Sequence, residues 1–514
     1  MLLCGKIHSI PYKNEQIYHI LFFTIDSDYL LPNGNFSLHF LPYLCSMKKK
    51  ENIEMKDNID FGSMDISKLF RKLLIPTVLG MVFSAVFVIT DGIFVGKGVG
   101  SDALAAVNIT APLFMITTGV GLMFGVGASV VASIHLSHGK RKVAGINITQ
   151  ALMFSSLLIL ILSVLCCYFV EPVGRLLGSS ERLLPLVVEY MNWYVPFLTF
   201  YLLLNAGMFF VRLDGAPNYA MWCNAIAAIS NIVLDYVFIF VFGWGLMGAA
   251  FATSLGTMIG GLMILIYLLR FSRNFRLYPI KLSRKSRQLT FRNIGYMVKL
   301  GSSAFVSEAS IACMMFLGNY VFIRHLGEDG VAAFSIVCYF FPIIFMVYNA
   351  IAQSAQPIIS YNFGAGSSKR IQQTFRLSIK TALFCGVCFF IVTVLCNHNI
   401  VSLFIDRSYG AYDIAVTGIP YFAIGYLFFA FNIVGIGYYQ SIERAHRATI
   451  ITLLRGVVFM LIGFLVLPHF FGVPGIWLAV PLAELLTFVY IVAIYLKDRF
   501  FSHRGNVSLQ HGNV

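Results

Sequence analysis

From about residue 70 the chain alternates long apolar runs with short polar breaks. Each run is long enough to cross roughly 30 Å of hydrocarbon as a helix. The pattern predicts an all-α polytopic membrane protein with twelve spans. They lie near 70–93, 106–134, 148–170, 185–208, 222–242, 247–270, 294–323, 331–356, 375–397, 413–437, 449–468 and 475–496. The longest polar break, 271–293, reads FSRNFRLYPIKLSRKSRQLTFRN and carries seven basic residues and no acid. It divides the spans six and six, which suggests two six-helix bundles, 70–270 and 294–497, with a tail at 498–514.

The polar breaks carry a second signal. A shift of 227 residues superposes Gly100-Ser-Asp-Ala-Leu-Ala-Ala106 on Gly327-Glu-Asp-Gly-Val-Ala-Ala333 and Gly139 on Gly366. The same shift places Gly245, Gly248 and Ala252 on Gly472, Gly475 and Ala479. Because each half holds an even number of spans, the repeats run parallel, related by a pseudo-twofold axis along the membrane normal. Such lobes enclose a central cavity, and rocking one against the other gives alternating access.

Charge refines the picture without changing it. The chain is 58% hydrophobic and 12% charged, with mean hydropathy +0.79, far from the roughly 25% charge of soluble domains. The net charge of +14 is a matter of topology. Counting from Lys48, one face takes 30 of the 37 Lys and Arg. The other face takes only Lys97, Arg175, Arg182, Arg324 and Arg407. By the positive-inside rule the basic leader (47–69), the linker (271–293) and the C-terminus are cytoplasmic, at the cell membrane. No nucleic-acid motif is present. The ten cysteines are scattered without metal-ligand spacing. Residues 1–46 show no period, no long apolar run and no signal-peptide pattern. They read as a gene-model extension or disordered tail ahead of a start at Met47, which intact-mass measurement of the native protein would test.

Candidate chemistry lies in the few polar groups inside the spans. Ile75–Gly96 is apolar except for Asp91, and an acid at that depth costs at least about 2.5 kcal/mol, which marks it as functional. Pro76, about four turns earlier, is the natural hinge. In span five Asn231 and Asp235 are four residues apart and share one helix face; span six offers Thr253. If these spans pack together, the four residues form one polar pocket in which two carboxylates resist being ionised at once. The pocket is a candidate for proton uptake or for Na⁺, whose hard-cation chemistry suits these oxygens. The repeat places Gly318 opposite Asp91 and Ile462 opposite Asp235, so these acids are a specialisation of the first half. A substrate cavity is expected from Asn205, Glu308, Gln353, Gln356, Met314 and Met346, with Met315 beside them. The role of Glu484 is open, and His135 and His138 are expected to be solvated.

These stretches resemble the multidrug and toxic compound extrusion (MATE) transporters of bacteria. The resemblance rests on IPTVLGMVFSAVFVITDGIFVGKGVGSDALAAVNITAPL, FVRLDGAPNYAMWCNAIAAISNIVLDYVFIF, GWGLMGAAFATSLG and AQSAQPIISYNFGAG, and covers about residues 65–497. The first-half acids are similar to those of the branch containing the DNA-damage-inducible protein F and the staphylococcal multidrug exporters. The resemblance implies a V-shaped pair of six-helix bundles that exports organic cations or other amphipaths in exchange for H⁺ or Na⁺. It also implies no other cofactor, no enzymatic activity and a chain able to work as a monomer. It assigns ion coupling to Asp91, Asn231, Asp235 and Thr253 and the hinge to Pro76. Glu308 matches a span-seven Glu of another branch. The span-ten Asp of that branch is absent here, with only Asn432 nearby, and Phe87 stands where a Tyr is common. The alternatives within transport are a lipid-linked saccharide flippase and a specific metabolite exporter; an anionic lipid would call for Arg or Lys within the core spans, which carry almost none. A membrane-embedded transferase is the reading from another class, opposed by peripheral histidines and short loops.

Overall fold

The computed structural model describes residues 57, 59–272, 274–280, 283–404 and 407–510, with 498–510 in backbone only. The expectations for residues 1–46 and for a start at Met47 fall outside them. Among the described residues the secondary structure is helical. Ten helices are singly long and apolar enough to cross a membrane, and one further bent pair makes eleven. The first six are α1 (Ile66–Gly98), α2 (Ser101–Ser137), α3 (Arg141–Tyr168), α4 (Leu184–Leu213), α5 (Pro217–Val241) and α6 (Gly245–Phe271). The 81-residue helix Arg284–Gly364 turns back at Gly327, whose φ of 65° and ψ of −156° are not helical. At 1.5 Å per residue it would otherwise span about four membrane thicknesses. It therefore supplies two spans, α7 (284–326) and α8 (328–364), and completes the twelve. The rest are α9 (Ser368–Leu395), α10 (the pair Gly410–Ala423 and Gly425–Ser441, bent by 44°), α11 (Ala445–Phe471) and α12 (Val473–Gln510).

The repeat is written in the backbone. Gly100, Gly139 and Gly245 have positive φ, and so do Gly327, Gly366 and Gly472, each 227 residues on. The turn after α4 matches less closely: Gly215 has φ 92°, whereas its counterpart is Glu443 at φ 60°, 228 residues on. A non-glycine residue in that region is uncommon. Short helices after α3 (Val170–Leu176) and α9 (Asn397–Ser402) start at the same offset.

The first six helices pack chiefly on one another, as do the last six, and α2 with α7 and α8 forms the main seam. The seam is tightest toward the face that carries the leader and the linker, called here the terminal face. A Cβ on Gly301 would lie 1.8 Å from Met123 O, and one on Gly127 2.1 Å from Met297 O. Ser133 Oγ donates to Pro357 O at 3.3 Å, and Gln150 Nε2 donates to Thr290 Oγ1 at 2.9 Å. The described part of the leader, residues 57 and 59–65, crosses this closed end. Asp57 is bound by Asn218 and Lys72 of the first half, while Phe61 O accepts from Asn362 and Arg370 of the second. Between these anchors the Ser63 hydroxyl and the Gly62 N–H hold the Asp60 carboxyl below its usual range.

Two buried guanidinium groups modify the sequence-based account of charge. Arg212 and Arg455 are 5% and 3% exposed. They therefore do not belong to the exposed basic face, and the core spans are less free of Arg than expected. His135, expected in solvent, is half-buried, while His138 is exposed.

Candidate functional site

The α5–α6 contact is close because α6 presents glycine to α5. A Cβ at Gly256 would stand 2.9 Å from Ala227 O and from Asn231 Cβ. That approach places Thr253, one turn earlier, where Asn231 Nδ2 donates to its hydroxyl at 3.3 Å. Thr253 Oγ1 in turn donates to Asp91 Oδ1 of α1 at 3.2 Å. Asp235 lies one turn beyond Asn231 on the same face of α5, beside Asp91. Directly after Asp235, the helix widens into a π-turn, Tyr236–Val241, an element common at functional sites. The structure thus brings together all four residues expected to form the ion pocket.

The pocket is poor in donors. Asn231 and Asp235 are fully buried and Thr253 is 3% exposed. Asn231 Oδ1 and both carboxylate oxygens of Asp235 have no donor. Buried acceptors without partners are costly, and each calls for an explanation. The missing partner is of the kind a proton or a hard cation can supply. Tyr190 and Tyr194 of α4 are buried near the acids, and sequence reasoning missed both. Tyrosine is common in membrane helices near interfaces, so only the fold reveals that these two face the acids.

A cavity of about 290 Å³ lies between the two halves. Its polar lining includes Asn205, Asn224, Asn349, Gln353, Thr118 and Tyr201. Its apolar wall includes Phe87, Phe114, Met315, Phe345 and Met346. Among the described residues Glu308 is the only acid that lines it, and no base does. Glu308 also borders a smaller cavity of about 40 Å³ with Gln353, Gln356 and Gln440. Of the expected substrate residues, Asn205, Glu308, Gln353 and Met346 therefore line the main cavity and Gln356 only its annex. Met314 is a correction: it is 1% exposed and packed in the core, while Met315, expected beside it, does line the cavity. One residue along a helix is a 100° rotation, which the apolar pattern of span seven does not resolve.

The acid pocket and the cavity are separate but linked. Phe87, one turn before Asp91 on α1, lines the cavity. Phe114 stacks on Tyr194 at 5.9 Å and packs against Tyr201 at 4.1 Å, so an aromatic row joins the acids to the cavity wall. Pro76 lies inside α1, buried at its terminal-face end. From residue 81 to 94 no α1 residue is fully buried.

The second half is built differently. Glu484 and Arg455 pair at 3.6 Å, and Asn432 Nδ2 donates to Glu484 Oε2 at 2.7 Å. Arg455 also lies 4.9 Å over the Phe429 ring and donates to Ser310. This places Glu484 in a sealed structural network, away from the cavity. Among the described residues no cluster of three or more His, Cys, Asp or Glu is arranged to hold a metal ion.

The MatE family profile matches residues 76–237 and again 304–465, one match in each half. The FAD transporter of Shewanella oneidensis is 28% identical over 463 residues, covering 87% of this chain and 97% of the relative. The multidrug export protein MepA of Staphylococcus aureus is 24% identical over 455 residues, covering 85% and 96%. Among solved structures, an outward-facing multidrug resistance MATE family transporter of the MOP superfamily superposes with a TM-score of 0.76. It is 21% identical, over 86% of this chain and 97% of that one.

Proposed function

The chain belongs to the MatE family of multi-pass membrane transporters, and on that premise we propose that it exports cationic or amphipathic small molecules in exchange for H⁺ or Na⁺. As the family consists of transporters, the transferase reading is set aside. The observation that carries the proposal is the donor-poor pocket of Asp91, Asn231, Asp235 and Thr253, one helical turn along α1 from a cavity whose only charged lining group is Glu308. An ion entering the pocket offsets one of the two negative charges and supplies a missing partner, which favours one position of α1 over another. Because Phe87 and Ser84 of the same helix line the cavity, that repositioning reshapes the substrate site. A cationic substrate offers Glu308 the opposite charge it lacks, and Met and Phe walls accept varied apolar bodies. The basic terminal face lies in the cytoplasm, the lobes rock about the closed seam, and one chain suffices.

The relative named as an FAD transporter favours a second reading, export of a nucleotide-like metabolite. The cavity lining opposes it, because the cavity offers an anion a carboxylate and no base. The decisive experiment uses proteoliposomes with imposed proton or sodium gradients. Release of a fluorescent organic cation is compared between wild type and Asp91→Asn, with FAD tested in the same vesicles. Gradient-driven release of the cation, lost in the variant, supports the first reading; release of FAD alone supports the second.

A further inference from the structure

Arg212 ends α4 beneath the cavity, on the terminal-face side, 5% exposed. Among the described residues no carboxylate pairs with it. Neutral groups hold it instead. Its Nε donates to Met208 O at 3.2 Å, its Nη1 to Thr77 Oγ1 at 3.3 Å, and its Nη2 to Gln353 Oε1 at 3.0 Å. Its guanidinium lies 4.6 Å over the Phe209 ring. Thr77 directly follows Pro76 in α1, and Gln353 belongs to α8 of the opposite half and lines the cavity. A small void of about 20 Å³ lies among Pro76, Thr77, Arg212, Asn224 and Gln353, so this junction has room to move.

One cation therefore joins the hinge turn of the ion-binding helix, the floor of the cavity and the facing lobe. We propose that Arg212 is a positioning residue that couples the Pro76–Thr77 turn to closure of the two lobes. The inference rests on the alternating-access reading above. A desolvated charge without a counter-ion is costly, and neutral acceptors offset that cost only while all of them are in place. Withdrawal of Thr77 as α1 moves removes one acceptor and leaves the Gln353 contact as the main hold on the opposite lobe. Parting of the lobes then hydrates the guanidinium. The junction is thus a two-state element biased from both sides. The chemistry also orients Gln353. Arginine has only donors, so the amide oxygen must face it and the amide NH₂ is left to the cavity.

The test is hydrogen exchange of the full chain in lipid nanodiscs, followed in peptides covering 73–84 and 349–357. Arg212→Met is expected to exchange about tenfold faster there, a population shift toward the open terminal face. Its affinity for a fluorescent organic cation should stay within about threefold while gradient-driven efflux falls about tenfold. Gln353→Glu gives the guanidinium a carboxylate and is expected to exchange more slowly than wild type. Opposite shifts in the two variants support the latch, since a merely structural arginine would not be strengthened in this way. Unchanged exchange in both, or faster exchange in both, overturns it. Should Arg212→Met not fold, Gln353→Glu decides alone: slower exchange supports the latch, equal or faster exchange refutes it. If the cation leaves wild-type exchange unaltered, alternating access fails and the latch with it. If wild type responds and the variants match it, only the latch fails.

Discussion

Arg455 and Glu484 form a sealed ion pair, with side chains 4% and 3% exposed, in the half of the molecule that lacks the paired acids of α1 and α5. The two halves share a backbone plan yet treat charge in opposite ways. In the first, the Asp235 carboxylate lacks a donor; in the second, the Glu484 carboxylate pairs with Arg455 and accepts from the Asn432 amide. Glu484→Gln would leave Arg455 buried without its counter-charge, which costs about 3–5 kcal/mol. A large fall in the thermal unfolding midpoint is expected in detergent, with ion dependence of transport unchanged in the protein that remains folded. A stable variant with altered ion dependence would show instead that Glu484 takes part in coupling.

The first-half acids should behave in the reverse way. Asp91→Asn and Asp235→Asn each keep the shape of the side chain, and in the first of them the amide oxygen can still accept from Thr253. Folding should therefore be preserved or improved, because a buried like-charge conflict is removed. Gradient-driven efflux should fall at least about tenfold in each variant, the scale of an allosteric coupling energy. Efflux at wild-type rates from pH 6 to 8 in both variants would remove these residues from the mechanism.

Much of this was legible in the sequence, for a definite reason. An acid in lipid is so costly that Asp91 and Asp235 stand out without a structure, and the four-residue spacing of Asn231 and Asp235 places them on one face. Gly100, Gly139 and Gly245 announced the repeat because positive φ selects for glycine. Three features were less legible. Arg212 lies four residues beyond the predicted end of its span, at 208, so it counted among the exposed basic residues. Tyr190 and Tyr194 carry no signal until α4 is placed against the acids. Met314 turns into the core while Met315 keeps its expected place at the cavity, because the apolar pattern of α7 does not fix its rotation.

Glu308 should govern charge selectivity. It lines both main cavities and is the only ionisable acid in either. Hydrogen bonds to charged groups contribute about 1.5–3 kcal/mol. Glu308→Gln should therefore weaken binding of a monocationic fluorescent dye by at least about tenfold. A neutral amphipath of similar size should bind with little change. Fluorescence titration of the purified protein with both ligands measures the difference, and equal losses for the two would make Glu308 a structural residue.

Closure of the terminal face depends on glycine at the seam. Gly301 of α7 has no room for a side chain, since a Cβ would fall 1.8 Å from Met123 O and 2.6 Å from the carbonyl carbon. These are backbone atoms of α2, so no rotamer change relieves the clash. Either the two helices separate or the local packing is strained, at a cost of about 1–3 kcal/mol. Because the seam joins the two halves rather than the core of either, separation is the softer response. Gly301→Ala should therefore fold, bind cation and hold the terminal face open. Hydrogen exchange near Met123 and Gly301 should rise, and gradient-driven efflux should fall about tenfold. Gly295, nearer the start of α7, has nothing within 4 Å of its Cβ position, so Gly295→Ala is the matched control and should transport normally. Equal activity of the two variants would mean that close approach at Gly301 has no part in closure.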